Sequence, residues 1–352
     1  MQKDLIQIDG RSGGQCLRTA ISLSSVLKKP VLVFNIRANR PKTGLAQQHL
    51  TGLNTLAKIS RAKVKGNFLG SKKIVFYPKE LKDGNYSVNI GTAGSITLLL
   101  QSLTLPLVFS EAKASFKILG GTDVPFAPSF NYTKDVFFPF ISSMGAKFSL
   151  DLKRRGYYPE GKGFVFFSKA SSNLPLKPFY KVEQGRLKFI KIISHSTGLP
   201  KEASANMLAS AKKTLIEKLS PDFEEVTEFN EAIDEKGAGI TLIAFFDDKT
   251  RIGVSAVQEK NKRPGKLAAE ELIKEIGSKK PVDMHLSDQL IPFMALAKGH
   301  STLETSCLTH HTLNNISVAE KFLDIKFEVK GKISEPAEIS VEGISFRGTK
   351  NE

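Results

Sequence analysis

The chain is 352 residues long, 41% apolar and 24% charged, an ordinary folded composition with room for one large core or two smaller ones. Against 35 Asp and Glu stand 51 Lys and Arg, a net charge of +16, which draws polyanions, nucleic acid first, although a lysine-rich surface also serves solubility alone. Two distant cysteines, Cys16 and Cys307, exclude a disulfide framework and any Cys-x-x-Cys site.

The chain opens Met1-Gln2-Lys3-Asp4 with no apolar signal core. Residues 5–8 read as a short strand ending at Asp9-Gly10. Next come Arg11-Ser12-Gly13-Gly14-Gln15 and a helical spacing of apolar residues from Leu17 to Leu27. Strand, glycine loop and helix together present free backbone N–H groups to a phosphate, although most such loops only turn. Arg18 lies one turn into that helix. A strand over 31–36 runs into Arg37-Ala38-Asn39-Arg40-Pro41-Lys42, three cations in six residues. Guanidinium forks suit phosphate oxygens, and a solvated charged turn has the same composition. A helix over 47–59 and strands over 62–64 and 73–77 follow.

The pattern then recurs about 80 residues on: a strand over 86–90, a glycine loop Gly91-Thr92-Ala93-Gly94-Ser95, an apolar helix over 96–103, and a strand over 115–119. The greasy run of 96–109 is interrupted by Gln101, Ser102, Thr104 and Pro106, so it cannot span a bilayer, and a soluble cytoplasmic protein is expected. The offset predicts a duplicated α/β unit rather than a solenoid. A turn-dense loop over 120–128, a helix over 132–144 and strands over 147–152 and 163–167 complete the second unit. Between those two strands, Lys153-Arg154-Arg155 lies near Tyr157-Tyr158. This grouping suits an RNA backbone and a stacked base, or a basic hairpin tip with packed rings.

From about residue 175 the texture changes and no glycine phosphate loop occurs. Strands over 187–193, 224–229, 238–246 and 251–257 and helices over 201–219 and 266–276 predict a small inserted α/β domain at 182–277. A helix over 291–297 and a turn at Gly299 lead to Cys307-Leu308-Thr309-His310-His311-Thr312-Leu313-Asn314-Asn315. Two adjacent imidazoles among hydroxyls and amides serve as nucleophile, base or metal ligand, or merely cap a polar loop. A strand-like 315–318 and a hairpin over 325–340 close a third unit of the same kind. The expected architecture is a large domain of three α/β repeats (about 1–80, 84–170 and 280–345, within 1–181 and 278–352) plus the insert.

Several of these stretches, in one order, resemble the RNA 3′-terminal phosphate cyclase family. They are Asp9-Gly10 with Gly13-Gly14-Gln15-x-Leu17-Arg18, and Ile36-Arg37-Ala38-x-Arg40 with Gly44-Leu45 and Gln48-His49-Leu50. Next are Gly91-Thr92-Ala93-Gly94-Ser95 with Gln101, Gly120-Gly121-Thr122 with Ala127-Pro128, and Arg154-Arg155-Gly156-x-Tyr158-Pro159. Asp288-Gln289-Leu290 and His311 come last. The resemblance implies the repeat-plus-insert fold, shared with enolpyruvyl transferases, whose motifs are absent. It implies ATP-dependent closure of an RNA 3′-phosphate to a 2′,3′-cyclic phosphate, with Mg²⁺ or Mn²⁺. The family's spacing of histidine to Thr-Asn selects His311 over His310 as the residue that becomes histidyl-AMP. By the same resemblance Gln101, Pro128, His285, Leu286, Ser287, Asp288 and Gln289 contact the nucleotide. Arg18, Arg37, Arg40, His49 and Arg155 face phosphate or RNA.

Two departures from the family pattern stand out. Arg11 occupies the place of a glutamate thought to serve the metal, and Asp9 replaces it only if the loop folds differently. Asn314 replaces the usual Thr. Two rivals remain on the sequence. One is a non-catalytic cyclase-like protein acting in ribosomal RNA processing, which the altered glycine loop favours and the retained histidine disfavours. The other is a zinc site from Cys307, His310 and His311, which lacks a Cys-x-x-Cys partner.

Overall fold

The computed structural model describes residues 5–219, 221–231, 234–260 and 262–348; Met1 to Asp4 lie outside them. In the first unit, β1 (Ile6–Asp9), α1 (Gly14–Leu27), β2 (Val31–Phe34), α2 (Gln47–Ile59), β3 (Lys63–Lys65) and β4 (Ile74–Tyr77) form a sheet of order β1-β2-β4-β3. β1 and β2 are parallel, joined through α1, and the other pairs are antiparallel. The second unit repeats this plan as β5-β6-β8-β7. Its elements are β5 (Gly84–Asn89), α3 (Ile96–Val108), β6 (Ala114–Gly120), α4 (Phe130–Tyr132), α5 (Phe138–Met144), β7 (Ala146–Arg154) and β8 (Gly163–Ser172). The 80-residue offset in the sequence is this shared topology.

β9 (Tyr180–Lys181) comes next, and six further elements follow it: β10 (Leu187–Thr197), α6 (Glu202–Ile216), β11 (Asp222–Asn230), β12 (Gly237–Phe246), β13 (Arg251–Val257) and α7 (Pro264–Gly277). Their sheet, β11-β10-β12-β13, packs on α6 and α7 around its own apolar cluster of Ile190, Ile192, Leu215, Leu242, Leu272 and neighbours. α8 (Met284–Leu296), β14 (Lys298–Thr305), α9 (His310–Phe322), β15 (Glu328–Lys330) and β16 (Ala337–Ile344) then complete a third sheet, β9-β14-β16-β15. β9 pairs in parallel with β14, as β1 does with β2, with the insert and then α8 between them. The third unit is therefore split, with its first strand before the insert and not within 280–345. The fold is the expected mixed α/β class, and no helix among the described residues is long and apolar enough to cross a membrane.

Several local expectations are corrected. Residues 315–318, strand-like for their β-branched Ile316 and Val318, lie inside α9. Thr309 caps this helix, its Oγ1 accepting from Thr312 N at 3.1 Å, and Thr312, Ile316, Ala319 and Phe322 form its buried stripe. Gly299 is not a turn but the second residue of β14. The helix expected from 291 begins at Met284, because Asp283 accepts from His285 N and Leu286 N at 3.0 and 2.8 Å.

Three helical stretches contain a proline beyond their first residue, and each of these prolines is used. A proline cannot donate to the carbonyl four residues back, so Pro106, Pro139 and Pro292 free the oxygens of Ser102, Asp135 and Asp288. The first accepts from Ser22 Oγ of α1 at 2.9 Å, the second from Arg251 Nη1 of β13 at 2.7 Å, and the third from Asn315 Nδ2 of α9 at 2.6 Å. The widened turn Thr133–Phe137 between α4 and α5 lies directly before Pro139. Each break thus becomes a tie between elements, and the third fixes α9 against α8.

Candidate active site

Five helices direct their first turns at one cleft of about 670 Å³. α1 contributes Gly14, Gln15 and Arg18. α2 gives Gln48 and His49, and α3 gives Leu98 and Gln101. α8 adds His285, Asp288 and Gln289, and α9 adds His311. Free N–H groups and aligned peptide dipoles make such a convergence favourable for an anion. Arg37 and Arg40 from the basic loop enter the same cleft, as do Phe126, Ala127 and Pro128. Two other hollows, of about 550 and 760 Å³, lie where α1 and α3 end, at the C-terminal pole that disfavours anions.

The two glycine loops shape the wall. Gly13, at φ +137, opens α1, and the side chain of Arg40 lies over it, so a Cβ there would sit 3.5 Å from Nη2. Arg37 N donates to Gly10 O at 2.9 Å, and Arg37 Nη1 donates to Gly44 O at 3.1 Å, so the basic loop is built onto the glycine loop. Ser95 N donates to Gln48 Oε1 at 3.2 Å, tying the second glycine loop to α2. Arg18 is depressed to about 10 by burial and remains a cation at neutral pH, and its Nε has no partner. A buried, unpaired guanidinium edge is costly unless an anion completes it.

His311 is exposed into this space. Asn315, one turn along, accepts from Thr19 Oγ1 at 2.8 Å and donates to Asp288 O, so α9 is pinned to α1 and α8 and cannot rotate the imidazole away. Burial first, then Arg18, Arg40, His285 and His310, lower the His311 pKa, which leaves a neutral ring with a free lone pair at neutral pH. In NMR titration, His311 should protonate with a midpoint below 6.5. Arg40→Gln should move that midpoint upward, since one repelling cation is gone; an unmoved midpoint would remove Arg40 from the field at the ring.

Some expected residues are placed elsewhere. Leu286 and Ser287 are buried against the core on the far side of α8, where Ser287 meets Thr312, so only 285, 288 and 289 of that run reach the cleft. His49 lines the cleft but is pushed down to about 3 by burial, Arg18 and Arg37, so it is a neutral wall and not a cationic phosphate ligand. Arg155 is removed altogether. Its guanidinium is buried, donating to Asp123 at 3.0 Å, Asn131 at 2.8 Å and Glu228 at 2.9 Å. Tyr157 is buried beside it, and only Tyr158 stays exposed. Gln101, Pro128, His285, Asp288, Gln289, Arg18, Arg37, Arg40, His49 and His311 are brought together. No motif points to Val254, Ser255 and Glu271, which the insert adds to the wall.

The donor set does not make a metal cage. Arg11 donates to Asp9 through both its backbone N (3.0 Å) and Nε (2.8 Å), and Asn35 also binds that carboxylate, so Asp9 is already engaged. Among the described residues no group of three His, Cys, Asp or Glu is placed to hold an ion, which also removes the zinc arrangement of Cys307, His310 and His311. Asp288, pushed up to about 6 by burial although His285, Gln15 and Arg18 oppose this, is a carboxyl whose charge acts on Arg18.

A cationic cleft into which an exposed, unprotonated imidazole opens is the site of an enzyme that works on phosphate groups. The family model described as RNA 3′-terminal phosphate cyclase matches residues 9–329. Curated relatives with that name include one from Methanosarcina barkeri, 42% identical over 93% of this chain and 97% of its own. Another, from Methanopyrus kandleri, is 38% identical over 96% and 98%, and one from Staphylothermus marinus is 40% identical over 97% and 99%. The chain belongs to the RNA 3′-terminal phosphate cyclase family. A solved EPSP synthase from Acinetobacter baumannii is also similar, at 9% identity over 99% of this chain and 66% of that one, but its TM-score of 0.26 carries no argument.

Proposed function

We propose that this chain closes an RNA 3′-terminal phosphate to a 2′,3′-cyclic phosphodiester using ATP, with His311 as the residue that is adenylated. The observation that carries the reading is the neutral imidazole of His311 set among Arg18, Arg37 and Arg40 at the meeting of five helix N-termini. A phosphate monoester offers its neighbouring 2′-OH no good leaving group. The His311 nitrogen attacks the α-phosphorus of ATP, the P–N bond forms as the α–β P–O bond breaks, and pyrophosphate leaves. An oxygen of the RNA terminal phosphate then takes the adenylyl group and frees the imidazole. The 2′-OH attacks the terminal phosphorus, its proton passes to solvent or a nearby base, and AMP departs. Each step accumulates negative charge, for which Arg18, Arg37 and Arg40 are fixed in advance. Pro128, Gln101 and His285 to Gln289 are the nucleotide wall in this reading. Among the described residues no group of three His, Cys, Asp or Glu forms a cage for a metal ion, so the charge of each step falls on Arg18, Arg37 and Arg40.

The test is direct. RNA ending in 3′-phosphate, incubated with the protein and ATP, should become resistant to phosphatase, and an end with 2′-deoxyribose should not, since it lacks the hydroxyl that closes the ring. RNA binding without any ATP-dependent product would replace this reading with the non-catalytic one, which the Arg11–Asp9 pairing in the glycine loop favours.

A further inference from the structure

One residue bordering the cleft is unused by the chemistry above. Phe126 is fully exposed, and its backbone is left-handed at φ +64. A bulky residue seldom adopts that conformation, and a ring held wholly in water gains nothing from burial. The loop that carries it is nevertheless firmly held. On one side Thr122 N donates to Gly156 O at 2.8 Å and Asp123 is buried on Arg155; on the other, Thr97 Oγ1 donates to Pro128 O at 2.7 Å. The anchors project the ring into solvent over the cleft mouth. Strain retained at a functional rim is the kind of outlier from which a role can be read. Phe68 and Tyr158 are also exposed, but neither lines this cleft.

We propose that Phe126 is a stacking platform for a base near the 3′ end of the RNA, a positioning residue for the polynucleotide and not for ATP. The inference rests on the cyclase reading, which requires an RNA end to reach His311. In the cyclase reading, adenine joined to an α-phosphate at His311 takes the wall of Pro128 and His285. A polynucleotide approaching the same phosphorus has to cross the rim, where both faces of the Phe126 ring are free. Stacking on a π-face tolerates any base, so the platform serves RNA ends of all four terminal bases.

The experiment compares wild type with Phe126→Ala, Phe126→Trp and Phe126→Gly. RNA binding is measured by fluorescence anisotropy without ATP, the KM for RNA by cyclisation at saturating ATP, and the KM for ATP by covalent labelling without RNA. Phe126→Ala should weaken RNA binding and raise the RNA KM by roughly 5- to 150-fold, leave the labelling KM for ATP within about twofold of wild type, and be restored by Phe126→Trp. Phe126→Gly should melt no lower than Phe126→Ala, since glycine relieves the backbone, yet bind RNA as poorly. An RNA affinity unchanged by alanine, a failure of tryptophan to restore it, or a loss confined to the ATP KM would each overturn the proposal. Should the wild type neither label nor cyclise, the cyclase reading fails by itself, and the anisotropy arm still decides whether the ring holds RNA.

Discussion

His311→Ala should abolish acid-labile labelling by α-labelled ATP and lower cyclisation by on the order of 10³ or more. The ring is exposed in the cleft, kept neutral by its surroundings, and set among guanidinium groups. His49 is neutral too, but it is buried, and its Nδ1 already accepts from Ala46 N at 3.3 Å. His310 stands next in sequence and does not line the cleft, because one residue on a helix turns a side chain by about 100°. His310→Ala should therefore keep most of the labelling, its small effect coming through the charge it adds near His311. The fold should be untouched in both variants, since each ring is exposed. Equal label on wild type and His311→Ala would end the nucleophile assignment. Label lost from His310→Ala and retained in His311→Ala would move it by one residue.

What could be read before any coordinates was local. The glycine loops at 10–14 and 91–95 and the basic loop at 37–42 are turn chemistry, written in a few adjacent residues, and all three border or support the cleft. The repeat was visible because the same strand, loop and helix order recurs. What escaped was set by distant partners. Arg155, beside two tyrosines, has the composition of an RNA contact, but its acceptors lie 32 residues before and 73 after it, Asp123 and Glu228, on different elements. The run 285–289 looked like a continuous ligand set only while it was not known to be helical; its period sends 286 to the core and 285, 288 and 289 to the cleft. β9 is two residues long and takes its identity entirely from pairing with β14, across the whole insert. The insert's share of the wall, Val254, Ser255 and Glu271, comes from the approach of β13 and α7, for which no nearby residues give a pattern.

Arg155→Ala should destabilise the protein by about 3–5 kcal/mol, lowering Tm by roughly 5–10 °C. Asp123 carries charge in a buried site only because His195 and Arg155 offset the penalty of burial and hold its carboxyl well below the usual range. Alanine at 155 leaves that carboxylate with Thr122 Oγ1 at 2.7 Å and with His195, whose Nε2 sits 3.4 Å away but outside hydrogen-bond alignment. His195 itself accepts or donates at Nδ1 with Tyr157 Oη at 2.8 Å, so the chain of polar groups runs from β10 through the 154–163 hairpin into the loop bearing Phe126 and Pro128. Glu235, accepting from Tyr157 N and Lys162 N at 2.7 Å each, grips the same hairpin from the insert. The network is thus the joint between the insert's wall of the cleft and the loop opposite it. Thermal melts of Arg155→Met, Asp123→Asn and Arg155→Met/Asp123→Asn form a cycle. The double variant should be less destabilised than the sum of its parts by about 0.5–3 kcal/mol, because removing both charges leaves neither one stranded. Strict additivity, or an Arg155→Ala melt within a degree or so of wild type, would show that the buried pair neither stabilises the chain nor holds the insert.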